Sequence, residues 1–389
     1  MSRFHSYLVS ASRILQTYTK GTPFSYHLKI FFSKEKKIGS RDRKSIAGLC
    51  YQYFRVAHLF ESSVAMEDKI IYGAFICENN SHDLIESIRP ELFEKKDLSL
   101  SDKFKLLNIN MLNLFPYSYE LSREINYKDF AFSFFQQPKF YIRIRPGKMK
   151  FIKKIQQAGI DYETIDSECF AFSQHIDLEK IADINSDFVI QDKSSQKIFD
   201  GFKFAELLTE NYRALEAWDC CAASGGKSIL LFDKIGERLK LTVSDIRKNI
   251  LINLKERLSK AQVPVYKSFM QDLSVSSGLN KDDFFDIILC DAPCSGSGTW
   301  SRNPEQLHAF DIGQLNAFVL RQQAIVSNVI PHLRPNGYFF YVTCSVFEKE
   351  NEGVIQFIQH HTNLQLEEMK YEKGYNNMAD TMFVALFKN

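Results

Sequence analysis

Between residues 217 and 388, apolar runs of strand length alternate with stretches of helical spacing. A chain patterned in this way folds around a mostly parallel sheet. The runs predict strands ending near Cys220, Asp245, Phe269, Asp291 and Ser345, and helices beginning near Gly226, Lys248, Gln314 and Glu350. Residues 364–369 and 382–388 are expected to close the sheet, and Asn336-Gly337 reads as a turn before the strand leading to Cys344. The most constrained piece is FDIILC followed by DAPCSGSGTW, residues 285–300. Its apolar run suits a strand buried on both faces. It ends on an acid, Asp291, and a thiol, Cys294, and small residues then let backbone approach a ligand closely. Open α/β sheets place their ligands at this end of the strands. Cys344 has the same setting after the strand 338–342.

The rest of the chain reads differently. Residues 1–133 show helical spacing, as in Ile46, Leu49, Cys50, Tyr53 and Phe54, with Arg41, Lys44 and Arg55 around that stripe. From residue 134 the pattern shortens. FYIRIR, 140–145, alternates as a strand with Arg143 and Arg145 on one face, and a small α/β unit follows to about residue 204. Charge is uneven. Residues 1–55 carry eleven Lys/Arg against Glu35 and Asp42, and residues 138–160 carry seven and no acid. Basic faces of this kind attract polyanions, although solvated helix faces have the same composition. None of the eight cysteines forms a C-x-x-C pair and no His stands at ligand spacing, so no metal site is expected. Reduced thiols in apolar strands fit a cytoplasmic protein, and there is no long apolar run to enter a membrane.

Three stretches carry the chemistry. WDCCAASGGKS, 218–228, is a strand, a small-residue turn and a helix start. Cys221, Ala222, Ala223, Ser224, Gly225, Gly226 and Lys227 could close around a ligand there; a plain tight turn would look the same. Asp245, in VSDIRKN with Arg247, and Asp272 are acids at the next strand ends. Such acids accept hydrogen bonds from ribose hydroxyls or an adenine amine, and an acid in the place of Asp245 also serves as a helix cap. Three strand-end acids suit a nucleoside cofactor without phosphates, such as S-adenosylmethionine. A lone Cys in these places is most often a core thiol. Two of them, one in an Asp-Ala-Pro-Cys turn, fit covalent catalysis on a pyrimidine. A thiolate adds to carbon 6, and carbon 5 then becomes nucleophilic.

Residues 218–228, the run DAPCSGSGT with the SRNPE after it, and YVTCSVFEKENE resemble the Nop/Sun/Fmu family of RNA cytosine-5 methyltransferases. The stretch 1–130, with SRDRKSIAGLCYQYFR, is similar to the NusB-type helical domain of the bacterial 16S ribosomal RNA branch. The resemblance implies an α/β architecture: a Rossmann-like S-adenosylmethionine-dependent methyltransferase domain (205–389), a small α/β RNA-binding subdomain (134–204) and an all-helical RNA-binding domain (1–133). It implies Cys344 as the nucleophile and Cys294 as the thiol that helps release product. Asp291 would hold the cytosine edge, Lys227 would lie near the cofactor and base, and Asp245 and Asp272 would bind ribose and adenine. Ser224 stands where the family has Pro. Implied partners are RNA, ribosomal first and transfer RNA as the alternative, with the protein acting as a monomer. A non-catalytic RNA-binding assembly factor is the competing class. Pro304, Glu305 and His308 read either as a pocket-shaping loop or as a surface turn.

Overall fold

The computed structural model describes residues 3–77, 82–148, 150–173, 176–210 and 213–389. Two compact units emerge: Met1–Tyr119 with Asn126–Pro138 and Thr299–Ile312, and Glu120–Ile125 with Lys139–Gly298 and Gly313–Asn389.

The first unit is helical. Its central helix, Ser40–Val56, buries Ile46, Leu49, Cys50 and Phe54, the stripe visible in the sequence. Gly73, in the helix Met66–Ile76, lies so close that an added Cβ would stand 2.7 Å from the Gln52 carbonyl oxygen. Arg55 departs from its expected place on the surface. It is 1% exposed, and its guanidinium donates to the Phe134 carbonyl and to Gln137 Oε1. A buried cation held by a carbonyl ties helix to chain and cannot meet solvent-borne phosphate.

The segment 299–312 belongs to this unit, and at Pro304, Glu305 and His308 it forms a helix where a loop or surface turn is expected; His308 is exposed. Pro304–Ala309 forms a short helix with Pro304 and Glu305 buried, and the His308 ring lies 5.8 Å from that of Phe54. Trp300 packs among Phe115, Tyr117 and Phe310. Its large apolar area anchors the segment.

His58 gives the helical unit a pH dependence. Its Nε2 donates to the Leu114 carbonyl at 3.0 Å, while Nδ1 is buried without a partner among the described residues. Burial lowers its pKa to about 4. The unfolded chain therefore takes up a proton between pH 6.5 and 4 that the folded chain refuses. Stability is full above the unfolded value and falls as pH drops, by about 2–3 kcal/mol. His58→Gln should flatten that part of the curve, read as urea midpoints at pH 7.5 and 5.

The second unit holds two sheets. Strands β1 (Phe140–Ile144), β2 (Glu163–Thr164), β3 (Cys169–Phe172) and β4 (Phe188–Ile190) form a small antiparallel sheet in the order β2-β3-β1-β4. Arg143 and Arg145 share a face, as the alternation predicts, but that face is buried. Both reach Asp233 on the helix Gly226–Ile235, Arg143 Nη1 at 2.6 Å and Arg145 Nη2 at 2.7 Å. They are 1% and 9% exposed. The expectation that this basic face attracts a polyanion is corrected for these two residues: both guanidinium groups are buried against Asp233 and do not meet solvent.

The large sheet contains β5 (Leu215–Asp219), β6 (Leu239–Asp245), β7 (Val265–Met270), β8 (Phe285–Asp291), β9 (Leu333–Thr343), β10 (Gln365–Glu372) and β11 (Met382–Lys388). Its order is β10-β11-β9-β8-β5-β6-β7, with β7 to β9 parallel through β5 and β11 running against β9 and β10. The chain starts in the middle at β5 and winds outward both ways, so a crevice opens at the carboxyl ends of β5 and β8. Asn336-Gly337 is not a turn before β9 but lies inside it. Between the pairs Phe285↔Leu333 and Ile287↔Tyr338 the strand bulges, and Asn336 takes φ +62°. Turn-forming residues serve a bulge equally well.

Candidate active site

Strands β8 and β9 are parallel neighbours with Asp291 opposite Val342. Their chains therefore leave the sheet side by side, and the sulfurs of Cys294 and Cys344 lie 3.4 Å apart. Glu350 holds the two turns together. Fully buried, its carboxylate accepts from Ser295 N (2.9 Å) and Ser295 Oγ (2.6 Å) behind Cys294, from Ser345 Oγ (2.5 Å) behind Cys344, and from Gln322 Nε2 (3.0 Å). Burial raises the Glu350 pKa against these hydrogen bonds. The hydrogen bond with Cys344, and then burial, raise the Cys294 thiol.

Gly298 sets the height of the second turn. Its N–H donates to the Cys344 carbonyl and its own carbonyl accepts from Thr381 N, both at 2.8 Å. An added Cβ would stand 2.1 Å from the Thr381 oxygen and 2.9 Å from the Cys344 oxygen. Both are backbone atoms, so Gly298→Ala must push the Cys344 turn away. It should cost about 1–3 kcal/mol of stability and lower turnover on the order of 100-fold, as a misplacement of about 1 Å does. Melting temperature and single-turnover rate check this.

Lys227 Nζ sits 2.7 Å from Asp291 Oδ2 at the mouth of the thiol pair. Burial pulls the lysine pKa down, but Asp291, Cys344 and Asp219 outweigh it and raise it, so Lys227 is cationic. Two thiols and the Asp291 carboxylate thus face one space, with Lys227 paired to that carboxylate.

The glycine turn is built for close approach. Ala223 and Gly225 take φ +44° and +81°, and a Cβ on Gly225 would meet Leu254 Cδ1 at 2.4 Å. Ser224 uses its hydroxyl as well as its carbonyl: both accept from Arg257 Nη1 at 3.0 Å, while Arg257 Nε donates to Asn185 Oδ1. Hydrogen bonding here holds the turn that a Pro ring would stiffen. Ala223 N donates to Asp245 Oδ2 at 3.1 Å, and Arg247 contributes its backbone N–H, Nε and Nη2 to the same carboxylate. Burial works against ionisation of Asp245, but Arg247 and Ala223 hold its pKa below the usual range. Asp245 is not the helix cap; Arg247 occupies that position.

A cleft of about 380 Å³ runs from this turn to the thiols. Cys221, Ala223, Asp245, Arg247, Asp272, Asp291, Cys294 and Cys344 line it. Of the other expected residues, Ala222, Ser224, Gly225 and Gly226 shape the turn from behind, and Lys227 is joined to the cleft through Asp291. The lining fits S-adenosylmethionine. Asp245 and Asp272 offer acceptors of the kind ribose hydroxyls need, Ile246 and Leu273 offer apolar surface, and Asp291 offers negative charge. The sequence reading missed Asp219 and Glu350. Asp219 is fully buried with Ser228 Oγ at 2.5 Å, and its pKa is pushed up by burial to about 7. Both acids stand in quoted motifs, but motif spacing does not separate a buried acid from a solvated one.

Fold, cleft and thiol pair together define a Rossmann-like methyltransferase domain of the S-adenosylmethionine-dependent class. Residues 208–387 match the family described as 16S rRNA methyltransferase RsmB/F. The chain is 24% identical over 238 residues to ribosomal RNA small subunit methyltransferase B of Xanthomonas campestris, covering 60% of this chain and 53% of that protein. It is 34% identical over 152 residues to the protein of the same name from Erwinia tasmaniensis, covering 38% and 34%. The chain thus spans about half the length of these curated relatives, or less. Among solved structures, that of PH0851 has a TM-score of 0.70 at 17% identity, covering 98% of both chains. A methyltransferase homolog from Pyrococcus horikoshii has a TM-score of 0.58 at 20% identity, covering 75% of this chain and 100% of that one. At these identities the likeness concerns the fold. No helix among the described residues is long and apolar enough to cross a membrane.

Proposed function

We propose that this protein methylates carbon 5 of a cytosine in RNA, with small-subunit ribosomal RNA as the substrate. The observation that carries this reading is the pair of sulfurs 3.4 Å apart beside the Lys227–Asp291 ion pair. Asp245, Asp272 and the glycine turn would hold S-adenosylmethionine in the cleft, where it would supply an electrophilic methyl group. Cys344, freed of its proton, adds its sulfur to carbon 6 of a cytosine turned out of its stack, which makes carbon 5 electron-rich. Asp291 holds the amine and ring-nitrogen edge of the base. Carbon 5 takes the methyl group as the methyl–sulfonium bond breaks; water then accepts the carbon 5 proton, the electron pair left behind re-forms the ring double bond, and the bond to Cys344 breaks with its sulfur leaving as thiolate. Cys294, within hydrogen-bond reach of Cys344, assists that elimination.

RNA recognition is assigned to exposed cations of each unit considered separately. Lys34, Lys36, Lys37 and Arg41 are exposed on the helical unit, and Lys148, Lys150, Lys153 and Lys154 beside the small sheet. Such residues position a backbone without reading bases.

The test supplies the protein with labelled cofactor and total RNA from cells lacking its gene. Label is expected in small-subunit ribosomal RNA, at a cytosine that becomes resistant to bisulfite. Label in transfer RNA alone would overturn the substrate, and RNA binding without label in any fraction would overturn the enzyme reading.

A further inference from the structure

Three more thiols converge at the floor of the cleft, and the proposed reaction uses none of their sulfurs. Cys220 follows β5, Cys221 opens the glycine turn, and Cys290 is the penultimate residue of β8. Asp219 pairs with Leu289 across these parallel strands, so the next register position sets Cys220 beside Cys290. The three sulfurs all lie within 4.8 Å of one another, and all three thiols are free. Cys220 and Cys290 are fully buried, whereas Cys221 is half-buried, and both Cys220 and Cys221 line the cleft.

A single buried Cys behaves as a small hydrophobe. Three sulfurs meeting at one point form a donor set. Metal–sulfur bonds of about 2.3 Å place three sulfurs around an ion about 4 Å apart, so closure needs shifts below about 1 Å. The set holds no imidazole and no carboxylate, and an all-sulfur set selects soft ions. Asp219, one residue before Cys220, is fully buried and its Oδ1 has no partner among the described residues. The spacing rule that predicts no metal site counts residues along the chain, whereas these three meet through strand pairing.

We propose that Cys220, Cys221 and Cys290 form a three-sulfur site for a soft, thiophilic metal ion, entered from the cleft past Cys221. Each thiol that ligates releases its proton to solvent. An ion there draws Cys221 toward the strand floor and distorts the glycine turn, so ion and cofactor exclude each other. This second consequence rests on the cofactor reading above; the site itself does not.

The test uses the full chain carrying Cys294→Ala and Cys344→Ala, which removes the other thiol pair, titrated with Cd²⁺ in a thiol-free reductant. One equivalent is expected, with a sulfur-to-cadmium charge-transfer band and a ¹¹³Cd resonance in the three-sulfur range. Adding Cys290→Ala, or separately Cys220→Ala, should weaken binding on the order of 100-fold or more. No band, a resonance indicating fewer than three sulfurs, or binding unchanged by either substitution overturns the site. The resonance is read before any cluster residue is changed, so it stands even where a variant fails to fold. If three sulfurs bind cadmium and calorimetry finds cofactor affinity unchanged, the exclusion is overturned. None of these readouts depends on methyl transfer.

Discussion

Cys294→Ala is expected to trap the protein on its RNA as a covalent complex that survives denaturing electrophoresis, and Cys344→Ala is expected to form none. The two substitutions are chemically alike and the two sulfurs are 3.4 Å apart, so a difference between them reports role rather than packing. Removing Cys344 takes away the bond to carbon 6, and turnover should fall by roughly four orders of magnitude or more, as with the loss of other covalent nucleophiles. Removing Cys294 leaves addition and methylation possible and blocks release, so the adduct accumulates while turnover falls. The shared support from Glu350 stays in place in both variants, since its bonds reach Ser295 and Ser345 and neither sulfur. Equal adduct from both proteins, or adduct only with Cys344→Ala, would reverse the assignment. No adduct from Cys294→Ala on an RNA that the unsubstituted protein methylates would remove the covalent scheme.

Asp233→Ala should be the most destabilising single substitution in the second unit, at about 3–5 kcal/mol. The carboxylate is 4% exposed and answers two guanidinium groups whose side chains are 2% and 10% exposed. Arg143 is also held by Gln191 Oε1 at 3.1 Å, and Arg145 by the carbonyls of Asn185 and Ala261. Without Asp233 those partners orient the two cations but do not neutralise them. Against a typical total of about 5–15 kcal/mol, such a loss leaves little folded protein at body temperature. Urea unfolding measures it. Asp233→Asn, which keeps hydrogen bonding but not charge, should recover only part, and a loss below about 1 kcal/mol would show that water reaches the site.

Several expectations held because they rest on local rules. The apolar runs ending at Asp245 and Asp291, and the helix starts at Gly226 and Lys248, appear where the spacing places them. The errors share one cause. Arg55, Arg143 and Arg145 read as surface cations because composition cannot distinguish a solvated guanidinium from one paired in the interior. Pro304 and Glu305 read as loop or turn because their burial depends on helices more than two hundred residues earlier.

Residue order alone determined the alternation that imposes a parallel sheet, the acids and thiols at its strand ends, and the small residues of the glycine turn. These are properties of neighbours in the chain, written in a period of two or of 3.6 residues. Only the tertiary structure decided that β8 and β9 lie side by side, bringing Cys294 to Cys344, and that β5 borders β8, drawing Cys220 to Cys290. It also decided which cations meet water and that Glu350 binds two turns into one site. Strand order and burial arise from contacts across fifty residues or more, and no local period records which distant partner a side chain will find.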